Sequence, residues 1–258
     1  MDKSNIANNF SRYAHLYDQY AAVQNQAAFE LAGSLKNNNF SKILELGCGT
    51  GNYTLMLREK FRGARIKALD ISEEMISVAQ NKLKNEDIEF MVADAEKIIP
   101  DMIDPINFDL ITSNACFQWL NDLGKALRGY AKLLRRGGSV YFSIFGPDTF
   151  CELNAALKSV LKENRLDSVY FYNRASLKEM LKDNFKSVKV NEVCYKESFG
   201  SLKGLLEKIK YSGIRGNGLS RKVYFSRGLL ARLEKAYRDR FQEIGVTYQV
   251  FFCRGEKR

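Results

Sequence analysis

Lys42-Ile43-Leu44-Glu45-Leu46-Gly47-Cys48-Gly49-Thr50-Gly51 decides how this chain reads. Ile43, Leu44 and Leu46 form a short apolar run followed at once by glycines, the pattern of a buried strand entering a tight turn. Glycine at alternate positions lets the backbone take positive φ and come close to a ligand. Asn52 to Phe61 then predicts a helix with Leu55, Met56 and Phe61 on one side. Strand, glycine turn and helix make the first half of a nucleotide-binding βαβ unit. The spacing is G-x-G-x-G, not the G-x-G-x-x-G of dinucleotide enzymes.

The flanking segments extend the pattern. Arg65 to Asp70 reads as a second strand ending in an acid, placed to accept both hydroxyls of a ribose. Ser72 is an N-cap, Glu73 and Glu74 suit a helix N-terminus, and Met75, Ile76 and Ala79 give that helix an apolar face. Ile88 to Val92 makes a third strand running into Ala93-Asp94-Ala95-Glu96, and Phe108 to Asn114 a fourth. Leu123 to Leu134 predicts a helix, Arg135 to Gly138 a turn that caps it, and Ser139 to Phe145 a fifth strand. Helices over about 150–162 and 174–184 precede a sixth strand, Val188 to Phe199. The last strand starts at Val246, after two helices (Leu202 to Tyr211, Ser226 to Glu243) joined by the basic loop Ser212 to Arg221.

With these residues the chain resembles the class I methyltransferases that use S-adenosylmethionine. The likeness rests on E-L-G-C-G-T-G, the Asp70 tip, Asp94-Ala95-Glu96 and the strand ending Ser113-Asn114. It implies one Rossmann-like α/β domain with helices on both faces of a mostly parallel seven-stranded sheet holding one antiparallel strand. Residues 1–40 would be N-terminal cap helices, 41–199 the core, 200–244 a helical lid insertion and 245–258 the last strand. It places the cofactor on Gly47, Cys48, Gly49 and Gly51, its ribose on Asp70, and its adenine at Asp94-Ala95 beside Ile71 or Met75. Asn114 would also touch the cofactor, and Tyr17 and Arg12 from the cap are candidates to meet its methionine end. Within the cap, Ala21 to Leu35 predicts an amphipathic helix through Val23, Ala27, Phe29, Leu31 and Leu35.

Composition narrows the setting. Of 258 residues 45% are hydrophobic and 27% charged, as in a soluble globular protein. No apolar run reaches ~18 residues, so no membrane span is expected. The five cysteines are scattered without a C-x-x-C pair, which predicts neither zinc nor a disulfide framework and points to a reducing cytoplasm. No metal is called for. The net charge of +10 (40 basic, 30 acidic residues) implies an acidic partner. Acids interleaved with the basic clusters, and no stacking groove, weigh against nucleic acid.

A narrower resemblance is carried by Phe10-Ser11-Arg12, Tyr17-Asp18, Gln24, the block Ser113 to Asp122, Ser143 to Thr149, the lysine-bearing segment before Gly213 and Thr247-Tyr248. These are similar to the malonyl-acyl-carrier-protein O-methyltransferases of biotin synthesis. Ser212 to Asn217 departs from that family's small-residue run. The resemblance implies methyl transfer to the free carboxylate of malonyl-acyl-carrier protein, or malonyl-coenzyme A. A carboxylate of pKa ~4 is already ionised at neutral pH, so no general base is needed. Gln118, Arg12 and Tyr17 are then substrate positioners. Trp119 reads either as a core anchor or as a substrate wall. Lys208, Lys210, Arg215 and Arg221 are candidates to meet the acidic carrier protein. A trans-aconitate-type methyltransferase acting on free acids, a basic RNA methyltransferase, and a cofactor-binding protein without catalysis stay open as alternatives.

Overall fold

The computed structural model describes residues 2–35, 39–98, 103, 107–161, 166–212 and 225–258. Their strands form one seven-stranded sheet in the order β3-β2-β1-β4-β5-β7-β6. The strands are β1 (Lys42–Leu46), β2 (Arg65–Asp70), β3 (Ile88–Val92), β4 (Phe108–Asn114), β5 (Leu134–Phe145), β6 (Phe185–Phe199) and β7 (Ile244–Lys257). Neighbours from β3 to β5 pair in parallel, while β7 runs antiparallel to both β5 and β6. That is the expected class I methyltransferase sheet. Strand order reverses at β1/β4, where an open α/β sheet leaves a crevice at the carboxyl ends of its strands.

Helices cover both faces. The cap supplies α1 (Lys3–Tyr13), α2 (Tyr17–Tyr20) and α3 (Ala22–Ser34). The crossovers are α4 (Asn52–Lys60), α5 (Glu73–Lys82), α6 (Leu123–Leu133), α7 (Cys151–Leu161) and α8 (Arg174–Lys182). The β6–β7 insertion carries α9 (Leu202–Tyr211) and α10 (Arg227–Phe241). Ser72 caps α5 as expected, accepting from Met75 N at 3.1 Å. Ser201 and Ser226 do the same for α9 and α10, through Gly204 N and Leu229 N. Among the described residues no helix is long and apolar enough to cross a membrane.

Several local expectations change. The buried side of α4 is Tyr53, Thr54, Leu57 and Arg58, with Leu55 and Met56 only partly covered. Tyr53 wins because its hydroxyl reaches Thr112 on β4 at 2.8 Å. Phe29, counted on the apolar face of α3, is 73% exposed, whereas Val23, Ala27, Ala28 and Leu31 are buried. The stretch from Arg135 to Gly138 is part of β5. Leu134 pairs with Phe108, and the register then shifts to Leu110↔Ser139. Gly137, at φ +74°, takes up that irregularity. Asp109 ties β4 to the start of β1, accepting from Ser41 N at 2.8 Å and Lys42 N at 2.9 Å.

Candidate active site

The glycine turn builds the floor. Gly47, Gly49 and Gly51 sit at φ +73°, +54° and +84°, as their spacing predicted. A Cβ on Gly47 would lie 2.3 Å from Cys116 Sγ, so any side chain there collides with the loop after β4. Gly51 opens α4, and a Cβ there would press on Leu83 and Ala79 at 3.0 and 3.1 Å.

Asp70 locks this turn to β2. Its Oδ2 accepts from Gly49 N at 2.9 Å and its Oδ1 from Ser72 N at 2.9 Å. Burial raises its pKa, and the backbone donors Ser72, Gly49 and Ile71 oppose that rise. Above the turn lies a cleft of about 700 Å³, counted to its open mouth. That volume suits a cofactor-sized ligand. Gly47, Gly49, Asp70, Ile71, Met75, Asp94, Ala95, Asn114 and Tyr17 all line it, from the carboxyl ends of four strands and from the cap. A carboxylate with free lone pairs for a diol, a glycine cradle and an apolar slot between Ile71 and Met75 fit a nucleoside. The residues present therefore match the cofactor that the sequence implied.

Cys48, Gly51, Arg12 and Gln118 lie outside the cleft lining. Cys48 is buried with Ala68 and Ile76 on the core side, and burial pushes its thiol pKa up. Arg12 is exposed and does not line the cleft. Gln118 is 2% exposed. Its Nε2 donates to Ala115 O at 2.6 Å, and its Oε1 has no partner among the described residues. Asn114 lines the cleft, but both ends of its amide are engaged, with Gln24 O at 3.0 Å and Ser143 Oγ at 2.7 Å. It thus ties α3 to the ends of β4 and β5.

Sequence reasoning expected cap helices over residues 1–40 but named none of the contacts that hold them. Lys3 Nζ lies 2.5 Å from both Asp94 Oδ1 and Glu96 Oε2, so α1 is held down over the cleft. Ser11 Oγ meets Ser72 Oγ at 2.8 Å, and Asp18 accepts from Thr50 Oγ1 at 2.6 Å. These partners lie far apart in sequence and no local pattern announces them. Phe10 stands between Tyr17 and Trp119, with ring centroids 6.2 and 6.4 Å away. Trp119 is buried in the apolar core, as a core anchor would be, and it also lines the cleft. Cys116 lines it too, its pKa pushed up to about 12, first by burial and then by Asp70. Tyr17 is likewise pushed well above the usual phenol range by burial, Asp70 and Asp18. Glu45, in the motif itself, is 1% exposed; burial lifts its pKa to about 8, with the nearby Thr54 hydroxyl opposing the rise.

The insertion also revises a candidate. Lys208 is 7% exposed and paired with Glu197 at 2.8 Å, so it is no docking residue on an open surface. Lys210 is exposed, its ammonium 4.9 Å from the Tyr211 ring and 5.5 Å from that of Tyr13. Tyr211 packs on Tyr13 and Tyr20, joining α9 to the cap. Arg215 and Arg221 lie outside the described residues.

Comparison with known proteins agrees with this architecture. A family model described as "Methyltransferase domain" matches residues 44–142. Among solved structures, the YcgJ protein of Bacillus subtilis superposes with a TM-score of 0.63 at 16% identity, covering 90% of this chain and 98% of that one. Phosphoethanolamine N-methyltransferase 2 of Haemonchus contortus, in complex with S-adenosyl-L-methionine, gives 0.59 at 20% identity over 96% of this chain and 57% of that one. Malonyl-[acyl-carrier protein] O-methyltransferase 1 of Ilyobacter polytropus is 36% identical, over 100% of this chain and 96% of its own length. The Bacillus cytotoxicus enzyme of the same name is 34% identical over 100% and 93%. Shared at about this level from end to end, and not in the methyltransferase core alone, that likeness makes the chain a member of the malonyl-[acyl-carrier protein] O-methyltransferase family.

Proposed function

We propose that this protein transfers a methyl group from S-adenosylmethionine to the free carboxylate of malonyl-acyl-carrier protein. The product is the malonyl methyl ester that primes pimeloyl and biotin synthesis. The observation that carries the reading is the end-to-end likeness to malonyl-[acyl-carrier protein] O-methyltransferases, joined to a cleft whose donors suit a nucleoside. Malonyl-coenzyme A, which bears the same thioester, is a further acceptor in this reading. The +10 charge favours an acidic carrier, and five free thiols fit a reducing cytoplasm.

When bound, S-adenosylmethionine supplies an electrophilic methyl group on a sulfonium. Asp70 takes the ribose hydroxyls, Asp94 and Ala95 the adenine edge, and Ile71 and Met75 its faces. Gly47 and Gly49 let the backbone approach the methionine part. The acceptor carboxylate is ionised without help, so the chain's task is alignment and exclusion of water. Phe10, Tyr17 and Trp119 wall off that end. Cys116 and Tyr17 line the cleft, and their raised pKa values keep them protonated and unable to compete for the methyl group. Gln118, through its unpartnered carbonyl, and Arg12 act as substrate positioners once the acceptor is seated. Residues 200–244 serve as the lid.

The test supplies labelled cofactor with malonyl-acyl-carrier protein, malonyl-coenzyme A, trans-aconitate and RNA in separate reactions. Label in a base-labile ester of malonyl-acyl-carrier protein is expected. Label only in trans-aconitate or RNA, or in none, overturns the reading.

A further inference from the structure

Phe10, Tyr17 and Trp119 are the aromatic side chains among the described residues that line the cleft. They form a row. Phe10 stands in the middle, its ring centroid 6.2 Å from that of Tyr17 and 6.4 Å from that of Trp119, both edge-to-face. Trp119 is braced in turn by Phe171 at 5.7 Å. The three rings come from α1, from the start of α2 and from the loop after β4, so the tertiary fold assembles them. Such contacts hold each ring in one orientation.

The row begins at the glycine turn. A Cβ on Gly47 would collide with Cys116 Sγ, so Cys116 rests on that turn. Burial first, and then Asp70, Asp18 and Cys116, raise the Tyr17 pKa, which puts its phenol among those groups and keeps it uncharged. Tyr17 is therefore the end of the row beside Asp70. S-adenosylmethionine carries its sulfonium one methylene from the ribose. With the ribose on Asp70, that positive charge stands at the row. The carboxylates among the described lining residues already have partners: Asp70 accepts from Gly49 N and Ser72 N, and Asp94 is paired with Lys3. A cation taken out of water needs compensation. The negative face of an aromatic ring supplies it without a formal charge. Methyl transfer removes the need, because S-adenosylhomocysteine is a neutral thioether at the same atom.

We infer that Phe10, set between Tyr17 and Trp119, binds the positive charge of S-adenosylmethionine and so separates the cofactor from its neutral product. This rests on the ribose sitting on Asp70 and does not depend on which acceptor is used. The experiment is calorimetry with S-adenosylmethionine, with S-adenosylhomocysteine, and with sinefungin, whose amine keeps a positive charge where the sulfonium stands. The amino-acid end is common to all three ligands, so its contribution cancels in the comparison. Phe10→Leu should weaken S-adenosylmethionine and sinefungin about tenfold and S-adenosylhomocysteine less than about twofold. If the leucine variant fails to fold, Phe10→pentafluorophenylalanine, which keeps the ring and withdraws the negative charge from its face, carries the same expectation. Equal weakening of all three ligands, or of none, overturns the inference and leaves the methyl-transfer reading standing. Binding of none of the three by the wild-type protein overturns both. The expected pattern without transfer to malonyl-acyl-carrier protein supports the inference and overturns the acceptor alone.

Discussion

Lys3 Nζ is 2.5 Å from Asp94 Oδ1, an ion pair that joins the first helical turn of the cap to the end of β3. The same ammonium is 2.5 Å from Glu96 Oε2. One flexible cation thus closes the β3 end of the cleft by holding two acids. Lys3→Met should leave the cap less firmly seated, speeding both entry and exit of S-adenosylhomocysteine about tenfold while the affinity changes less. Trp119, the single tryptophan, lines the cleft and reports both rates in stopped-flow fluorescence. Unchanged rates would show that α1 opens without breaking this pair.

Asp70 has two duties, since it holds Gly49 N and Ser72 N while its remaining lone pairs face the cleft. Asp70→Ala should therefore weaken cofactor binding by on the order of 1.5–3 kcal/mol, measured by calorimetry. Asp70→Asn should lose less, because its amide oxygen still accepts one of the two backbone donors. Wild-type affinity in the alanine variant would remove Asp70 from the ribose.

Glu45 gives the fold a pH dependence of defined sign. Its pKa is raised from 4.5 to about 8, so the folded state favours the protonated carboxyl. Its contribution to stability is complete below about pH 4.5 and is lost as pH rises towards 8. Glu45→Gln, which carries no charge, should raise the melting temperature at pH 8 and change it little at pH 5. A shift of equal size at both values would mean that Glu45 keeps its charge in the core.

Lys210 is an exposed cation of the β6–β7 insertion, set beside the Tyr13 ring of the cap. Lys210→Glu should lower kcat/KM for malonyl-acyl-carrier protein several-fold at low salt and less at high salt, with kcat nearly constant. Lys210→Gln separates charge from packing on Tyr13 and Tyr211. If the glutamine variant loses as much as the glutamate variant at every salt concentration, the ring contact and not the charge is what matters.

Local chemistry made the sheet legible. β1, β2 and β4 are short strands of five to seven residues that run into or end on Gly47, Asp70 and Asn114, and these endings are also cleft residues. Strand and site share one signal because an α/β sheet binds at its strand ends. What stayed hidden depends on distant partners. Lys3 meets an acid 91 positions away. Lys208 resembled a surface lysine until β6 brought Glu197 beneath it. Phe29 fell on the predicted apolar face but faces solvent, because α3 rests on α4 and β4 through other residues.

The strand order has a consequence for synthesis on the ribosome. β6 is an edge strand whose sheet neighbour is β7, and β7 is also what connects it to β5. The chain must therefore finish β6, α9 and α10 before the strand that fastens them to the sheet emerges. Until β7 begins to leave the exit tunnel at Ile244, β6 has no ladder to join, and the nascent protein exposes the flank of β5 meant for β7. A stall or an early stop after α10 would release a chain with its cofactor-binding half made and an open strand edge beside it, a substrate for chaperones and proteases and not a partly active enzyme.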